Sequence, residues 1–141
     1  MKDGMKLFEV TDVLLLDPSS DVGARNERRL AALYAAPVAG FEVVHGLVNR
    51  LMMLLEIPAR PFAWETGAPV VFGRGGLRYH IEHDASVPSY FPGRGARIGL
   101  THESGRVFTV GTLGVLHPRV LSFFEIPLPV SVVEFCIEPF L

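Results

Sequence analysis

Histidines and carboxylates are concentrated in one short run of the chain, His80-Ile81-Glu82-His83-Asp84. Imidazole and carboxylate groups are common ligands of zinc and iron. On a strand, however, His80 and Glu82 share one face while His83 points to the other, and the i, i+4 histidine pair of helical metalloproteases is absent. We therefore expect a polar, solvent-facing strand end without stoichiometric metal. The alternative is a small metal-dependent hydrolase that uses His80, Glu82 and His83 with His102 or His117.

A second candidate is the run Phe91-Pro92-Gly93-Arg94-Gly95-Ala96-Arg97, which combines glycines with two arginines. Such a composition suits a loop that cradles phosphate or binds RNA. The run lacks the lysine–hydroxyl pair of a P-loop and the Gly-x-Gly-x-x-Gly order of a dinucleotide fold. We expect a glycine-enabled turn that feeds the next strand. The alternative is an RNA-binding module that uses Phe91, Arg94 and Arg97.

The remaining reactive side chains form no complete active site. His117 could act as a general base, but no serine or cysteine nucleophile has an obvious partner. Cys136 stands in an apolar segment, where a thiol is usually inert. We accordingly predict no catalytic, cofactor-binding or metal-ligating residues in this chain.

Composition narrows the class of protein. The chain has 141 residues, so one domain spanning 1–141 is expected. Its formal charge of −2 argues against a general binder of nucleic acid or acidic membranes. A hydrophobic content of 49% excludes a disordered tail, and the single cysteine excludes an internal disulfide framework. The mean hydropathy of +0.33 is high for a small soluble domain and indicates an apolar face that meets a partner.

Neither a membrane span nor a targeting segment is expected. The most apolar stretch, residues 41–57, is interrupted by polar and charged residues and falls short of the roughly 18 apolar residues that a span requires. Three consecutive leucines at 14–16 are too few for a signal-peptide core. We place the chain in a reducing aqueous compartment, most simply the cytoplasm.

Hydrophobic periodicity predicts an α+β fold. Strands are expected at residues 6–16, 28–35, 70–72, 77–81, 97–100, 107–110 and 130–137, with a polar loop at 21–27. Apolar residues recur at helical spacing over 40–56, and Pro118 favours a short helix over 119–124. The resulting order, ββ-α-ββ-ββ-α-β, predicts an antiparallel sheet with helices packed on one side.

Ordered blocks along the chain carry a resemblance to a known family: KLFEVTDV (6–13), DVGARN (21–26), GFEVVHGLVNR (40–50), FPGR (91–94), GTLGVLHP (111–118) and IEPFL (137–141). Together they resemble the C-terminal part of the beta subunit of phenylalanine–tRNA ligase, in its archaeal and eukaryotic cytosolic form. The resemblance is weak over 59–88. It implies that the chain is a C-terminal fragment of a longer beta subunit.

The resemblance implies a catalytic-like module, a degenerate class II aminoacyl-tRNA synthetase core that supports an alpha2beta2 tetramer. In that family the alpha subunit charges the phenylalanine tRNA with ATP and magnesium, so the expected partners are the alpha subunit and, through the holoenzyme, the tRNA. The fragment itself is expected to hold no cofactor. Two positions differ from active class II synthetases. Leu15 stands where those enzymes place an arginine that binds the ATP phosphate. Residues 132–138, near the chain end where the third class II motif carries an arginine, contain none. Gly93-Arg94-Gly95 resembles the third motif of class II synthetases only superficially. Because it precedes the hairpin, we do not interpret it as that motif.

Two expectations follow from this interpretation. The isolated chain should not catalyse phenylalanine-dependent pyrophosphate exchange, because an apolar Leu15 cannot neutralise phosphate charge. The apolar stripe of the helix at 40–56 should contribute surface that a small core does not need. We therefore expect the isolated fragment to self-associate, as a symmetric dimer.

Overall fold

The computed structural model describes residues 4–62, 64–67 and 69–141. This part of the chain contains six strands and two α-helices: β1 (Met5–Leu16), β2 (Ala24–Ala35), α1 (Phe41–Leu54), β3 (Leu77–His83), β4 (Tyr90–His102), β5 (Val107–Leu116), α2 (Pro118–Phe123) and β6 (Val130–Cys136). Short 3-10 turns lie at Arg74–Gly76 and Glu138–Phe140. The predicted α+β class is confirmed.

The strands form one sheet in the order β1-β2-β6-β5-β4-β3, and every neighbouring pair is antiparallel. β1 and β2 form a hairpin, and β3, β4 and β5 form a meander. β6 lies between β2 and β5 and joins these two units. The predicted antiparallel sheet is therefore confirmed.

The hairpin forms where the sequence predicts it, but its second strand is longer. A turn at residues 17–23 is closed by a hydrogen bond from the Asp17 amide to the Gly23 carbonyl, and Gly23 adopts a φ of +75°. β2 then starts at Ala24, so the predicted polar loop at 21–27 is wrong in its second half. Charged side chains at alternate positions of β2 are accommodated because they pair with each other and with neighbouring strands.

Two further boundaries differ from the prediction. Residues 70–72 form no strand. The next residue, Gly73, lies against the segment that follows α1, so close that a Cβ there would collide with the Glu56 carbonyl, and this contact directs the chain away from the sheet. β4 starts at Tyr90 rather than near Arg97. The glycine-arginine run is therefore a bulged part of β4, with Gly93 at a φ of +76° and a register shift between Tyr90 and Gly95, and not a turn before the strand.

α1 covers one face of the sheet. Its residues Val44, Val48 and Met52 are buried against core side chains of the central strands, among them Phe135 and Leu113. The helix begins beside β6, where the Gly40 amide donates a hydrogen bond of 3.1 Å to the Ser131 hydroxyl. The apolar stripe thus packs inward, and the expectation that it supplies surplus surface is wrong for these positions.

Exposed apolar side chains lie instead on β1, which is an edge strand. Phe8 is 79% exposed and Leu14 is 73% exposed, and Leu7 and Val10 are also exposed. No helix among the described residues is both long and apolar enough to cross a membrane.

Candidate functional site

The face of the sheet opposite α1 carries the polar groups. Tyr79 points to the helix side, where its hydroxyl donates a hydrogen bond of 2.8 Å to Asn49 Oδ1 of α1. Its neighbours His80 and Glu82 therefore lie on the opposite face, which we call the open face. The predicted sharing of a face by these two side chains is confirmed by their register, since they lie opposite Gly99 and Arg97 of β4.

The Glu82 carboxylate contacts three basic side chains in this region, those of Arg60, His80 and Arg97. One carboxylate oxygen accepts a hydrogen bond of 2.7 Å from Arg97, and the other accepts one of 3.2 Å from Arg60. These two guanidinium groups, Arg97 first, hold the pKa of Glu82 below its ordinary value. Both oxygens are thus engaged by arginines, which leaves the carboxylate poorly placed to bind a metal.

His80 is buried beside this carboxylate. Its side chain is only 7% exposed, and its Nε2 atom lies 3.5 Å from Glu82 Oε1. Burial, followed by the nearby positive charge of Arg60, lowers the pKa of His80. The neutral imidazole keeps one unusual feature: its buried Nδ1 atom has no hydrogen-bond partner within the described residues. The expected solvent-facing strand end is therefore wrong for His80, although His83 is exposed.

The structure does not assemble the alternative metal site. His83 lies on the other face of β3, and His102 lies opposite Leu77 at the far end of that strand. His102 Nδ1 contacts the Ser104 hydroxyl, and His117 Nδ1 accepts a hydrogen bond of 3.0 Å from the Arg119 amide at the start of α2. Across residues 4–62, 64–67 and 69–141, no three His, Cys, Asp or Glu side chains converge as a metal site. The side chains of the metal-dependent hydrolase alternative are therefore not brought together among the described residues.

The alternative RNA-binding set is only partly brought together. Phe91 and Arg94 line one cavity of about 520 Å³ near α2. Arg97 is held by Glu82 on the open face. Arg94 also lines a second cavity with Glu82, the carboxylate that engages Arg97, so the set does not form an uncompensated basic surface.

The hairpin contains Arg25, an arginine that the sequence patterns did not single out. Leu15 lies directly opposite Arg25. The Arg25 guanidinium lies 3.8 Å from Asp17 and 3.6 Å from Glu27, so carboxylates already surround it. The chain of ion pairs continues from Glu27 to Arg29 at 2.6 Å. The alternation of charge at every second residue of β2 was the signal in the sequence that could have revealed it.

The far end of this ion-pair chain is an acidic residue of β6. Glu134 accepts a hydrogen bond of 2.9 Å from Arg29 Nε. Nearby, Cys136 is half-buried, and burial raises the pKa of its thiol. A thiol that stays protonated is a weak nucleophile, in line with the interpretation of Cys136 as inert.

A cleft lies at the outer edge of β3, between that strand, α1 and the segment at residues 59–62. We call it the edge cleft; its volume is about 630 Å³, and its lining includes His45, Asn49, Arg60, Phe62, Tyr79 and His80. The Phe62 ring is stacked on Trp64, with ring centroids 4.4 Å apart and planes 4° apart. This cleft collects aromatic rings and polar groups that no motif in the sequence predicted.

A separate groove of about 530 Å³ lies between the β1–β2 hairpin and α1. Apolar side chains such as Phe8, Leu30 and Leu47 line it, and Lys6 and Arg50 also contribute to its lining. Among the described residues, neither cation forms an ion pair. The groove and the β1 edge form the most apolar accessible part of the sheet.

An antiparallel sheet whose open-face charges are tied up in ion pairs, beside an exposed apolar edge, has the character of an interaction module. Comparison with known proteins shows the family to which the chain belongs. The family described as "Phenylalanyl tRNA synthetase beta chain CLM domain" matches residues 1–137. The chain belongs to the phenylalanine–tRNA ligase beta-subunit family.

Individual relatives agree with this assignment. The chain is 46% identical over 136 residues to the phenylalanine–tRNA ligase beta subunit of Drosophila melanogaster, covering 96% of this chain and 20% of that protein. It is 39% identical over 137 residues to the Homo sapiens beta subunit, covering 97% and 20% respectively. For the Saccharomyces cerevisiae beta subunit the identity is 38% over 138 residues, covering 97% and 22%. The chain thus spans about a fifth of the length of these curated relatives.

Proposed function

We propose that this chain is a noncatalytic interaction module, the catalytic-like module of a phenylalanine–tRNA ligase beta subunit. In this proposal it supports the charging of phenylalanine tRNA by an alpha subunit within an alpha2beta2 tetramer in the cytoplasm. ATP and magnesium are used by the holoenzyme and not by this module. Its descent from a class II synthetase core and its place at the C-terminal end of a longer subunit are parts of the same proposal.

The observation that carries the proposal is the family match over residues 1–137, taken with the engagement of the open-face charges. Phosphate transfer needs cationic groups free to meet developing negative charge. Here Arg25, Arg29 and Arg97 each already contact carboxylates. This arrangement favours a supporting role over a catalytic one.

The apolar β1 edge supports a docking role for the alpha subunit. The groove beside it is flanked by Lys6 and Arg50, so it suits a partner segment that presents apolar residues bordered by carboxylates. Because no strand in the described part of the chain lies beside the outer edge of β1, a partner strand could also pair with it. In this proposal the alpha subunit provides that surface.

Copurification tests the proposal. The chain should copurify with an alpha-type synthetase subunit when the two are coexpressed. A Phe8→Glu/Leu14→Glu variant should lose most of the complex, because it places two charges on the docking surface. The matched control is Val107→Glu, at an exposed apolar position of β5 away from β1. No complex with the unaltered chain, or equal losses in both variants, would contradict the proposed docking surface.

A further inference from the structure

The cavity of about 520 Å³ near α2 lies between that helix, the bulge of β4 and the segment that precedes α1. We call it the α2 cavity; its lining includes Val38, Phe91, Arg94, Leu116, Leu121 and Ile126. Among the described residues that line it, Arg94 carries the only polar side chain. A concave apolar surface with a few well-placed polar groups is the usual form of a binding site. The α2 cavity therefore suits an apolar group that carries an anion.

The walls of the α2 cavity are held in place by the fold itself. Pro118, Pro127 and Pro129 all contribute to the lining, and each fixes its own φ angle. The loop that carries the last two is closed by a hydrogen bond of 2.8 Å from the Ile126 amide to the Leu121 carbonyl. Because little of the lining has to be ordered on binding, the entropic cost of association is reduced.

Arg94 brings one positive charge to this apolar surface. Among the described residues, its guanidinium forms no ion pair. Glu82, which lines the neighbouring cavity with Arg94, is engaged by Arg60 and Arg97 instead. The exposed guanidinium of Arg94 is therefore available to an external anion. A guanidinium matches a carboxylate best, because two parallel N–H groups can donate to its two oxygens.

Two backbone amides at the rim of the cavity add further donors. Val38 and Ala39 both contribute to the lining, and neither amide donates to a backbone or side-chain acceptor of the described residues. The following amide, that of Gly40, is already used by the Ser131 hydroxyl. Capture of a chain-terminal carboxylate by backbone amides is a known mode of peptide recognition.

The lining distinguishes between possible carboxylate ligands. A free amino acid fits less well, because no described Asp or Glu side chain lines the cavity to meet its ammonium group. In the last residue of a peptide the same nitrogen is an uncharged amide. The apolar surface also continues outward, since the lining residues Val38 and Phe91 are 77% and 44% exposed. That rim can contact the residues that precede the last one of a peptide.

We propose that the α2 cavity binds the C-terminal end of a partner protein chain. The apolar side chain of the last residue occupies the cavity, and the terminal carboxylate accepts hydrogen bonds from Arg94. The α2 cavity shares no lining residue with the groove between the β1–β2 hairpin and α1. The proposal therefore goes beyond the docking role of β1, and the copurification experiment does not decide it.

Fluorescence anisotropy of a labelled peptide tests the role of the carboxylate. The probe carries fluorescein at its amino end and terminates in leucine and phenylalanine with a free carboxylate; a second probe has the same sequence and a C-terminal amide. We expect saturable binding of the acid probe and about tenfold weaker binding of the amide probe. Arg94→Gln should weaken the acid probe by about tenfold and leave the amide probe unchanged. The matched control is Arg119→Gln, an exposed arginine of α2 outside the lining, where no effect is expected.

A second variant tests the apolar part of the site. Phe91→Ala removes a half-exposed ring from the lining and should weaken the acid and amide probes equally, by about tenfold. The matched control is Phe123→Ala, because this ring of α2 is 80% exposed and lies outside the lining. A loss confined to the acid probe in Arg94→Gln and shared by both probes in Phe91→Ala separates recognition of the carboxylate from recognition of the side chain.

Three results would overturn the proposal. The first is the absence of saturable binding of the acid probe up to millimolar concentration. The second is equal affinity of the acid and amide probes for the unaltered chain. The third is competition by free phenylalanine that equals competition by N-acetylphenylalanine, which would assign the cavity to a free amino acid.

Discussion

The buried imidazole of His80 lies against Gly99 on the neighbouring strand, where a Cβ would collide with the ring. The absence of a side chain at Gly99 therefore creates the space that the imidazole fills. Burial lowers the pKa of His80, so protonating this group in the folded chain is costly. The unfolded chain has no such restriction, and its histidines bind protons near pH 6.5.

This difference predicts a pH-dependent stability. Below about pH 6.5 the unfolded chain binds a proton that folded His80 does not, so the free energy of unfolding should fall as the pH is lowered, by at most about 1.4 kcal/mol per pH unit. Urea unfolding measured between pH 5.5 and 7.5 tests this. His80→Gln should reduce the slope, whereas His83→Gln, at an exposed position, should leave it unchanged. Equal slopes in all three proteins would contradict the assignment of this effect to His80.

Helix α1 shows how one element divides its methionines between two environments. Met52 is fully buried in the core, whereas the next residue, Met53, is 65% exposed. Their neighbours follow the same periodicity, since Val44 and Val48 are buried on the face that carries Met52. Of the two neighbouring methionines, only Met52 therefore fills the core.

The pair provides a matched test of α1 packing. Met52→Ala should lower the free energy of unfolding by about 2–5 kcal/mol, because it leaves a cavity between the helix and the sheet. Met53→Ala should change it by less than about 0.5 kcal/mol, since an exposed helical alanine loses little packing. Chemical denaturation of both variants is the measurement. A similar effect of the two substitutions would mean that α1 is not seated as described.

Local patterns predicted the elements that local forces determine. The first hairpin, α1 and the hairpin of β4 and β5 follow from apolar periodicity and from turn residues. The strand predicted at 70–72 failed because Val70 and Val71 favour β structure, whereas the approach of Gly73 to the end of α1 is a tertiary constraint. The start of β4 was missed because the left-handed Gly93 looked like a turn and is a bulge.

The candidate site was predictable only where one strand supplies it. Alternation along β3 correctly placed His80 and Glu82 on the same face. The partners of Glu82 come from residue 60 and residue 97, and only the folded chain brings these two arginines together. The Phe62–Trp64 stack likewise lies in a part of the chain that carries no recognisable motif and only a weak resemblance to the family. Long-range pairing of this kind leaves no local periodicity to detect.

For the whole molecule, the strand that exposes the most large apolar side chains is the edge strand β1. β1 exposes Phe8, Val10 and Leu14 on the same face of the sheet as α1, and its outer edge pairs with no strand among the described residues. Exposed edges with apolar side chains promote association. Part of the surplus apolar surface that the composition predicted therefore lies on β1, whereas the buried stripe of α1 (Val44, Val48 and Met52) contributes none.

We expect the isolated chain to form a symmetric dimer at high concentration through β1. Sedimentation velocity over a wide concentration range should show a monomer–dimer equilibrium, and Phe8→Glu/Leu14→Glu should shift it to monomer. Val107→Glu is again the control. Addition of an alpha-type synthetase subunit should dissociate the dimer if both use the same edge. A strictly monomeric unaltered chain at all concentrations would show that the β1 surface is too small to associate by itself.

The position of β6 between β2 and β5 sets an order of events during folding. The hairpin and the meander can each form from nearby residues, but the register that joins them pairs Arg29 with Cys136, more than a hundred residues apart. Contacts of such sequence separation carry a large loop-closure entropy and slow the search for the native topology. Until β6 inserts, β2 and β5 are both open edges. The sheet can therefore close only after β6 has been synthesised, and until then a nascent chain is most exposed to misassembly with its neighbours.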